Sequence, residues 1–336
     1  MAITQKNIAI IAGGDSSERE VSFRSAEGIF SFIKNTDYKK FNVRIIGKEW
    51  NVILSDETKI PIDKNDFSFI LNGKKINFDF AYITIHGTPG ENGILQGYFE
   101  LLQIPYSCCG VLAAALTFNK YVCNNFLKNF GINVAESVLV KNNSQEARDE
   151  IIEKLGLPVF VKPAEGGSSF GVTKAETAEQ LQPAIDKAFA EGNEVIIERY
   201  IESFKAKTEF TCGMYKTKET TTIFPVFEVK SDYDFFNYDA KYMDRSREFP
   251  ATSISAEKQK EIQQITAKIY DLLNAKGIVR VDYIVEKNGK IVLLDVNTTP
   301  GMTTQSFIPQ MAEEKISDVM TEIIENEISN YNKRSA

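Results

Sequence analysis

The chain predicts an α/β protein with α+β character, divided into two or three domains that begin with a parallel sheet. Three observations lead there. Strand-like and helix-like segments alternate through the first third of the sequence, the signature of a parallel sheet with sites at the strands' carboxyl ends. From Lys207 onward the pattern turns mostly β. The length, 336 residues, exceeds what one hydrophobic core usually accommodates, so two or three packed units are expected. A second unit is expected to begin near Gly131.

The elements follow in order. Asn7 to Ile11 is a buried strand that ends in Gly13-Gly14, with a polar helix start at Ser16-Ser-Glu-Arg-Glu. Asn42–Ile46 and Asp79–Ile85 read as further buried strands, with Asn72-Gly73 marking a turn between short extended runs. Leu112 to Phe130 reads as one helix stopped by Gly131. Ser144 caps a helix that reaches Leu155, and Pro158 opens the strand Val159–Lys162. Thr177-Ala-Glu-Gln180 has capping-box spacing ahead of another helix. Val195–Glu198 is a short strand. A Tyr/Asp-rich segment at 231–247 interrupts the β-rich part, and a helix is expected around 257–274. The final strands, Ile278–Val285 and Lys290–Leu294, turn at Asn288-Gly289.

Composition narrows the function classes. Hydrophobic residues make up 43% and charged residues 25%, ordinary for a folded soluble protein. A formal net charge of −7 gives no electrostatic reason to bind nucleic acid. No signal-peptide pattern and no apolar run of membrane-spanning length is visible, so no membrane partner is expected. Cys108, Cys109, Cys123 and Cys212 form no Cys-x-x-Cys pair, which reads as reduced thiols in the cytoplasm.

Several groups carry chemistry. Lys162-Pro-Ala-Glu-Gly-Gly-Ser-Ser-Phe-Gly171 follows a strand, and its glycines let backbone N–H groups converge on an anion, with Lys162 as a fixed charge. It lacks the Gly-Lys-Ser/Thr ending of a Walker loop, and a plain surface loop has the same composition. Asp295 and Asn297 share one face of a strand, and an antiparallel partner brings Asp282 beside them. Three hard oxygen ligands beside apolar Ile291–Leu294, with no nearby His or Cys, suit Mg²⁺ shared with phosphates. Arg280 lies on the same face as Asp282, placed to neutralise charge in phosphoryl transfer or to form an ion pair. Thr298-Thr-Pro-Gly-Met-Thr303 forces a turn whose N–H groups suit an oxyanion. His86, the only histidine, sits at a strand end in His86-Gly-Thr-Pro-Gly-Glu-Asn-Gly93, and Glu18 follows the Gly13-Gly14 turn. A carboxylate there binds a substrate ammonium or favours a helix N-terminus.

Four of these blocks resemble, in order, those of D-alanine–D-alanine ligases: Gly13–Ser22, His86–Gly93, Gly166–Gly171, and Arg280-Val-Asp282 with Asp295–Thr303. The resemblance implies an ATP-grasp fold. Residues 1–110 would be a Rossmann-like substrate domain, 111–203 the central ATP-grasp subdomain, and 204–336 the C-terminal catalytic domain, with ATP between the last two. It also implies two D-alanine substrates, ATP, two Mg²⁺ or Mn²⁺ ions, a cytoplasmic homodimer and a place in peptidoglycan synthesis.

Position by position, the resemblance implies the following roles. Glu18 holds the first D-alanine's ammonium and His86 neighbours its carboxylate. Lys120 and Lys162 are the phosphate lysines, with Gly167, Ser168 and Ser169 in the loop; Ser168 links Glu18 to a tyrosine. Glu198, Arg199, Ile201 and Glu209 hold adenine and ribose. Lys241-Tyr242 belongs to a closing loop. Arg280 and Gly301 serve the transition state, and Asp282, Asp295 and Asn297 hold metal. Ser306 and Phe307 face the second substrate. The chain departs from the family at Asn119, where Asp is usual, at Asp295, where Glu is usual, and at Phe307, where Leu is common. A D-alanine–D-lactate or D-alanine–D-serine ligase shares every block, although Lys241-Tyr242 argues against the lactate type. A nucleotide-binding regulator with a decayed site is favoured only by Asn119 and Asp295.

Overall fold

The computed structural model describes residues 5–167, 170–205, 208–231 and 246–334. At its N-terminal end, β1 (Lys6–Gly13) lies between two parallel neighbours, β2 (Tyr38–Ile46) and β7 (Phe80–Ile83). Two antiparallel strands, β3 (Glu49–Ile53) and β4 (Lys59–Pro61), complete the order β4-β3-β2-β1-β7. Every residue from Ile8 to Ala12 is buried because both faces of β1 are covered. Ala9 and Ile11 join an aromatic cluster beneath the hairpin of β5 (Ser68–Leu71) and β6 (Lys74–Asn77) and the helix α2 (Ile94–Leu102). Both residues of the hairpin turn, Asn72 and Gly73, have positive φ, as an Asn-Gly turn requires. Ile8 and Ile10 face the other way, toward α1 (Arg19–Phe32) and side chains from the far C-terminus.

The predicted helix over Leu112–Phe130 is two helices, α3 (Val111–Phe118) and α4 (Lys120–Lys128). The break is at Asn119, whose extended backbone (φ −94°, ψ 104°) turns its side chain into an N-cap for the Val122 N–H at 3.1 Å. Asn caps as well as Asp does, so this departure keeps the local structure. The break also frees Asn119 and Lys120 to pair with another segment. Asn119 bridges Glu165, and the Lys120 N–H donates to the Ala164 carbonyl at 2.8 Å.

A four-stranded antiparallel sheet follows, in the order β10-β9-β11-β8. Its strands are β8 (Ser137–Val140), β9 (Val159–Pro163), β10 (Thr173–Ala175) and β11 (Val195–Arg199). It is backed by α5 (Gln145–Leu155), capped by Ser144, and by α6 (Ala178–Phe189), whose Thr177/Gln180 capping box is formed. The last sheet has six antiparallel strands: β12 (Thr208–Lys216), β13 (Thr221–Ile223), β14 (Phe227–Ser231), β15 (Ser246–Pro250), β16 (Val279–Val285) and β17 (Ile291–Asn297). Helix α7 (Ala256–Leu272) packs on it. Two further helices, α8 (Phe307–Ala312) and α9 (Ile316–Arg334), return to the N-terminal sheet.

One irregularity positions the site. Along β17 Ile291 and Leu293 face the core, so strict alternation would bury Asp295 and Asn297 beside them. Instead the register slips, with Tyr283 opposite Leu293 and Asp282 opposite Asp295. The extra residue, Leu294, is a β-bulge that reverses the phase, so Asp295 and Asn297 face the same side as Arg280 and Asp282 while Val296 stays buried.

Candidate active site

A cavity of about 300 Å³ opens where the three sheets meet. From the last sheet, Arg280 grips Asp282 in a two-pronged fork, Nε to Oδ1 at 3.0 Å and Nη2 to Oδ2 at 2.9 Å. Asp282 also accepts from the Thr211 hydroxyl at 2.7 Å and the Asn297 amide at 3.1 Å. The Arg280 guanidinium lies over the Phe307 ring, 5.4 Å from its centre. Asp295 faces Lys120, whose Nζ is 3.9 Å away. Two carboxylates and an amide form a hard oxygen set of the kind that binds Mg²⁺. Among the described residues no group of three His, Cys, Asp or Glu side chains is placed to hold a metal ion. Mg²⁺ needs only one or two carboxylates when substrate phosphates supply its other ligands, and that is the chemistry this set fits.

The facing wall comes from the middle sheet. Lys162 on β9 and Glu198 on β11, which lie diagonally across the strand pair, form a buried ion pair at 2.8 Å, with Asn124 donating to Glu198 at 3.1 Å. Lys120 Nζ donates to the Gly166 carbonyl, tying α4 to the glycine loop. At Gly167 an added Cβ would lie 2.9 Å and 3.0 Å from the two Glu18 carboxylate oxygens, so any larger residue there has to push the Glu18 carboxylate aside. Glu209 on β12 lines the same cavity.

The floor belongs to the N-terminal unit. Glu18, at the start of α1, is 5% exposed. His86 lies past the end of β7, and burial, the main cause, with the Arg280 charge holds its imidazole below the ordinary range, against an opposing pull from Glu18. Glu91 is pushed up to about 8, first by burial and then by the Glu18 charge, although the Gly87 N–H donates to it at 2.8 Å. The 4.0 Å approach of His86 Nδ1 to Glu91 is thus a contact between two neutral groups at pH 7, because both shifts favour the uncharged forms. The turn after β17 closes the cavity. Its Met302 N–H is taken by Ser25 at 3.2 Å and its Thr303 N–H by Ser306 at 3.0 Å. Between them, the Gly301 N–H has no hydrogen-bond partner among the described residues, and Gly301 lines the cavity.

The cavity wall therefore brings together Glu18, His86, Lys120, Lys162, Gly167, Glu198, Glu209, Arg280, Asp282, Asp295, Asn297, Gly301, Ser306 and Phe307. Arg199 points elsewhere, exposed and paired with Glu136 at 2.9 Å, and Ile201 is not on the wall. Ser168, Ser169, Lys241 and Tyr242 lie outside the described residues. Sequence reasoning missed Glu91, Ser25, Thr211 and Asn124. Glu91 stood inside the quoted His86–Gly93 block, and Ser25 lies two helical turns beyond Glu18 on the same helix face. Thr211 and Asn124 carried no local signal, since their partners are distant in sequence.

A cleft between two antiparallel sheets, with lysines and a glycine loop on one and acids on the other, is the architecture of an ATP-grasp enzyme. Comparison with known proteins narrows the class. A family model described as "D-ala D-ala ligase N-terminus" matches residues 7–109, and one described as "D-ala D-ala ligase C-terminus" matches 126–325. The chain is 55% identical over 325 residues to the D-alanine--D-alanine ligase of Bacteroides fragilis, covering 96% of this chain and 99% of that one. Among solved structures, the D-alanyl-alanine synthetase A of Vibrio cholerae superposes with a TM-score of 0.87 at 27% identity, covering 98% of this chain and 100% of that one. The VanG D-Ala:D-Ser ligase of Enterococcus faecalis gives 0.82 at 32% identity, with coverage of 97% and 99%. The chain belongs to the D-alanine–D-alanine ligase family.

Proposed function

We propose that the chain joins two D-alanines, with conversion of ATP to ADP and phosphate, to supply peptidoglycan synthesis. The observation that carries this reading is the contact between Gly167 and Glu18. It sets a phosphate-binding loop against a buried carboxylate suited to an amino acid's ammonium, so the γ-phosphate and the substrate carboxylate become neighbours. Transfer of the phosphoryl group to that carboxylate makes an acyl phosphate, which the amine of the second D-alanine attacks as phosphate leaves.

In this reading Glu18 and His86 hold the first D-alanine, and Ser306 and Phe307 face the second. Lys120, Lys162 and the loop from Gly167 through Ser168 and Ser169 hold the phosphates. Glu198 and Glu209 hold the nucleoside, while Arg199 and Ile201 stand off the cavity wall, and Lys241 and Tyr242 cover the site, excluding water from the acyl phosphate. Asp282, Asp295 and Asn297 would hold Mg²⁺ or Mn²⁺, two ions with the nucleotide, which supply charge neutralisation on the phosphates. Arg280 and the unpaired Gly301 N–H stabilise the oxyanion of the attacked carbonyl. ATP as substrate and four buried free thiols favour a cytoplasmic setting. Exposed Ile94, Leu101 and Leu112 on adjacent α2 and α3 favour a homodimer through that face.

The test is Arg280→Ala. Dipeptide formation should fall at least ~10²-fold, the typical cost of losing one oxyanion donor, while ATP still binds. Wild-type turnover would sink the assignment. Likeness to a D-Ala:D-Ser ligase makes D-serine the competing second substrate. Product analysis with D-alanine, D-serine and D-lactate together should return D-alanyl-D-alanine in excess.

A further inference from the structure

Helix α1 enters the site twice. Its first turn follows Glu18, and two turns later the same face meets the turn that bears Gly301. Gly28 shows how close that meeting is: a Cβ there would lie 2.0 Å from the Met302 carbonyl oxygen. Ser25, fully buried, sits at the junction. Its Oγ accepts the Met302 N–H at 3.2 Å and lies 3.3 Å from His86 Nε2. Among the described residues these are its two partners.

A serine hydroxyl has one proton and two acceptor sites. With the Met302 N–H filling one acceptor site, the arrangement that satisfies every group runs the serine proton to His86 Nε2. The imidazole then carries its own proton on Nδ1, on the side where Glu91 approaches to 4.0 Å. Glu18, Arg280 and the Thr299 carbonyl are the other groups that act on the ring.

We propose that Ser25 is a positioning residue of the ligase reaction: its hydroxyl holds His86 as the neutral Nδ1–H tautomer and, through the Met302 N–H, fixes the Gly301 N–H in register with it. The inference rests on the ligase reading of the same cavity. Its chemical content is directional. With Nε2 occupied by Ser25, the ring presents an N–H on its Glu91 side, and a substrate carboxylate that reaches it there meets a donor shared with the Thr299 carbonyl and not a lone pair, which would repel it. One hydroxyl thereby couples the group beside the first substrate to the N–H that meets the oxyanion, although they come from opposite ends of the chain.

Because the chain has a single histidine, ¹⁵N-histidine labelling of protein made without a histidine tag reports one imidazole. In the wild type near neutral pH, Nε2 should show an unprotonated shift and Nδ1 a protonated one. An Nε2–H tautomer there overturns the proposal whether or not the protein proves to be a ligase. Conversely, absence of dipeptide synthesis with the expected tautomer overturns the ligase reading and with it the catalytic role, leaving the hydrogen bond standing. In Ser25→Ala the tautomer signature should change and kcat should fall roughly 10- to 100-fold, as small misplacements of reacting groups do. The KM for ATP should stay within about twofold, since the nucleotide contacts lie on other elements. Ser25→Cys, which keeps a weak donor, should recover part of kcat. Wild-type kcat in Ser25→Ala, or an unchanged imidazole spectrum, overturns the proposal. If Ser25→Ala fails to fold, the wild-type spectrum and the Cys variant decide.

Discussion

Glu91 lies beside His86 and within the field of Glu18, with a carboxyl that stays protonated where an exposed one would be ionised. Its shift runs from 4.5 to about 8, caused first by burial. The sign for stability follows directly. Below about pH 4.5 both folded and unfolded chains hold the proton; between there and about 8 only the folded chain does, so this group's contribution is lost as pH rises through that window. The melting temperature of the ligand-free enzyme should therefore fall over that window. Glu91→Gln, neutral at every pH, should flatten the fall, and an unchanged slope in that variant would refute the burial argument. Gly167 supplies a second residue-scale outcome. In Gly167→Ala the new methyl meets the Glu18 carboxylate at 2.9 Å, so the KM for D-alanine should rise several-fold more than the KM for ATP in steady-state kinetics.

Among the elements, those whose information is local were legible in the sequence. Ser144 caps α5, the Thr177/Gln180 box opens α6, and Asn72-Gly73 turns β5 into β6, because each signal rests on side chains within a few residues. The helix break at Asn119 was not legible. The stretch reads as continuous helix, and the break is stabilised by pairing with Ala164 and Glu165, distant in sequence. The bulge at Leu294 is a similar case. Asp295 and Asn297 are readable as one face, but which face depends on the partner strand. Helix α9 did carry a usable signal, with Ile316, Val319, Met320, Ile323 and Ile324 at helical spacing, and the sequence reading passed over it. The site was legible for the residues in the four blocks and not for those recruited by tertiary contact, such as Thr211. The α1–turn contact gives the prediction at this scale. Gly28→Ala must push α1 from the Met302 carbonyl, which should cost ~1–3 kcal/mol in denaturant unfolding, as overpacking does. A wild-type midpoint would show that the two elements do not meet so closely.

At the scale of the whole molecule, the buried clusters show what moves with what. One cluster joins the N-terminal sheet to α8, α9 and strands of the last sheet, and another joins α3 and α4 to the last sheet. Lys6 and Tyr38 both hold Glu325 of α9, reinforcing the first of these. By contrast, the cluster between Val140 and Ile197 contains only residues of the middle unit. Among the described residues, the sheet β8–β11 with α5 and α6 shares no buried apolar cluster with the rest, so it is the part expected to pivot over a nucleotide. Hydrogen exchange should show ATP protecting the segment 163–171 strongly while the β1–β2–β7 core changes little. Equal protection of both would contradict a pivot.

The ligase reading is tested most directly by supplying ATP, Mg²⁺ and one alanine enantiomer at a time, and following ADP and dipeptide together. With D-alanine, one ADP should appear for each D-alanyl-D-alanine formed, and with L-alanine neither product should accumulate. ATP binding without D-alanine-dependent ADP release, or ADP release without dipeptide, would contradict the account.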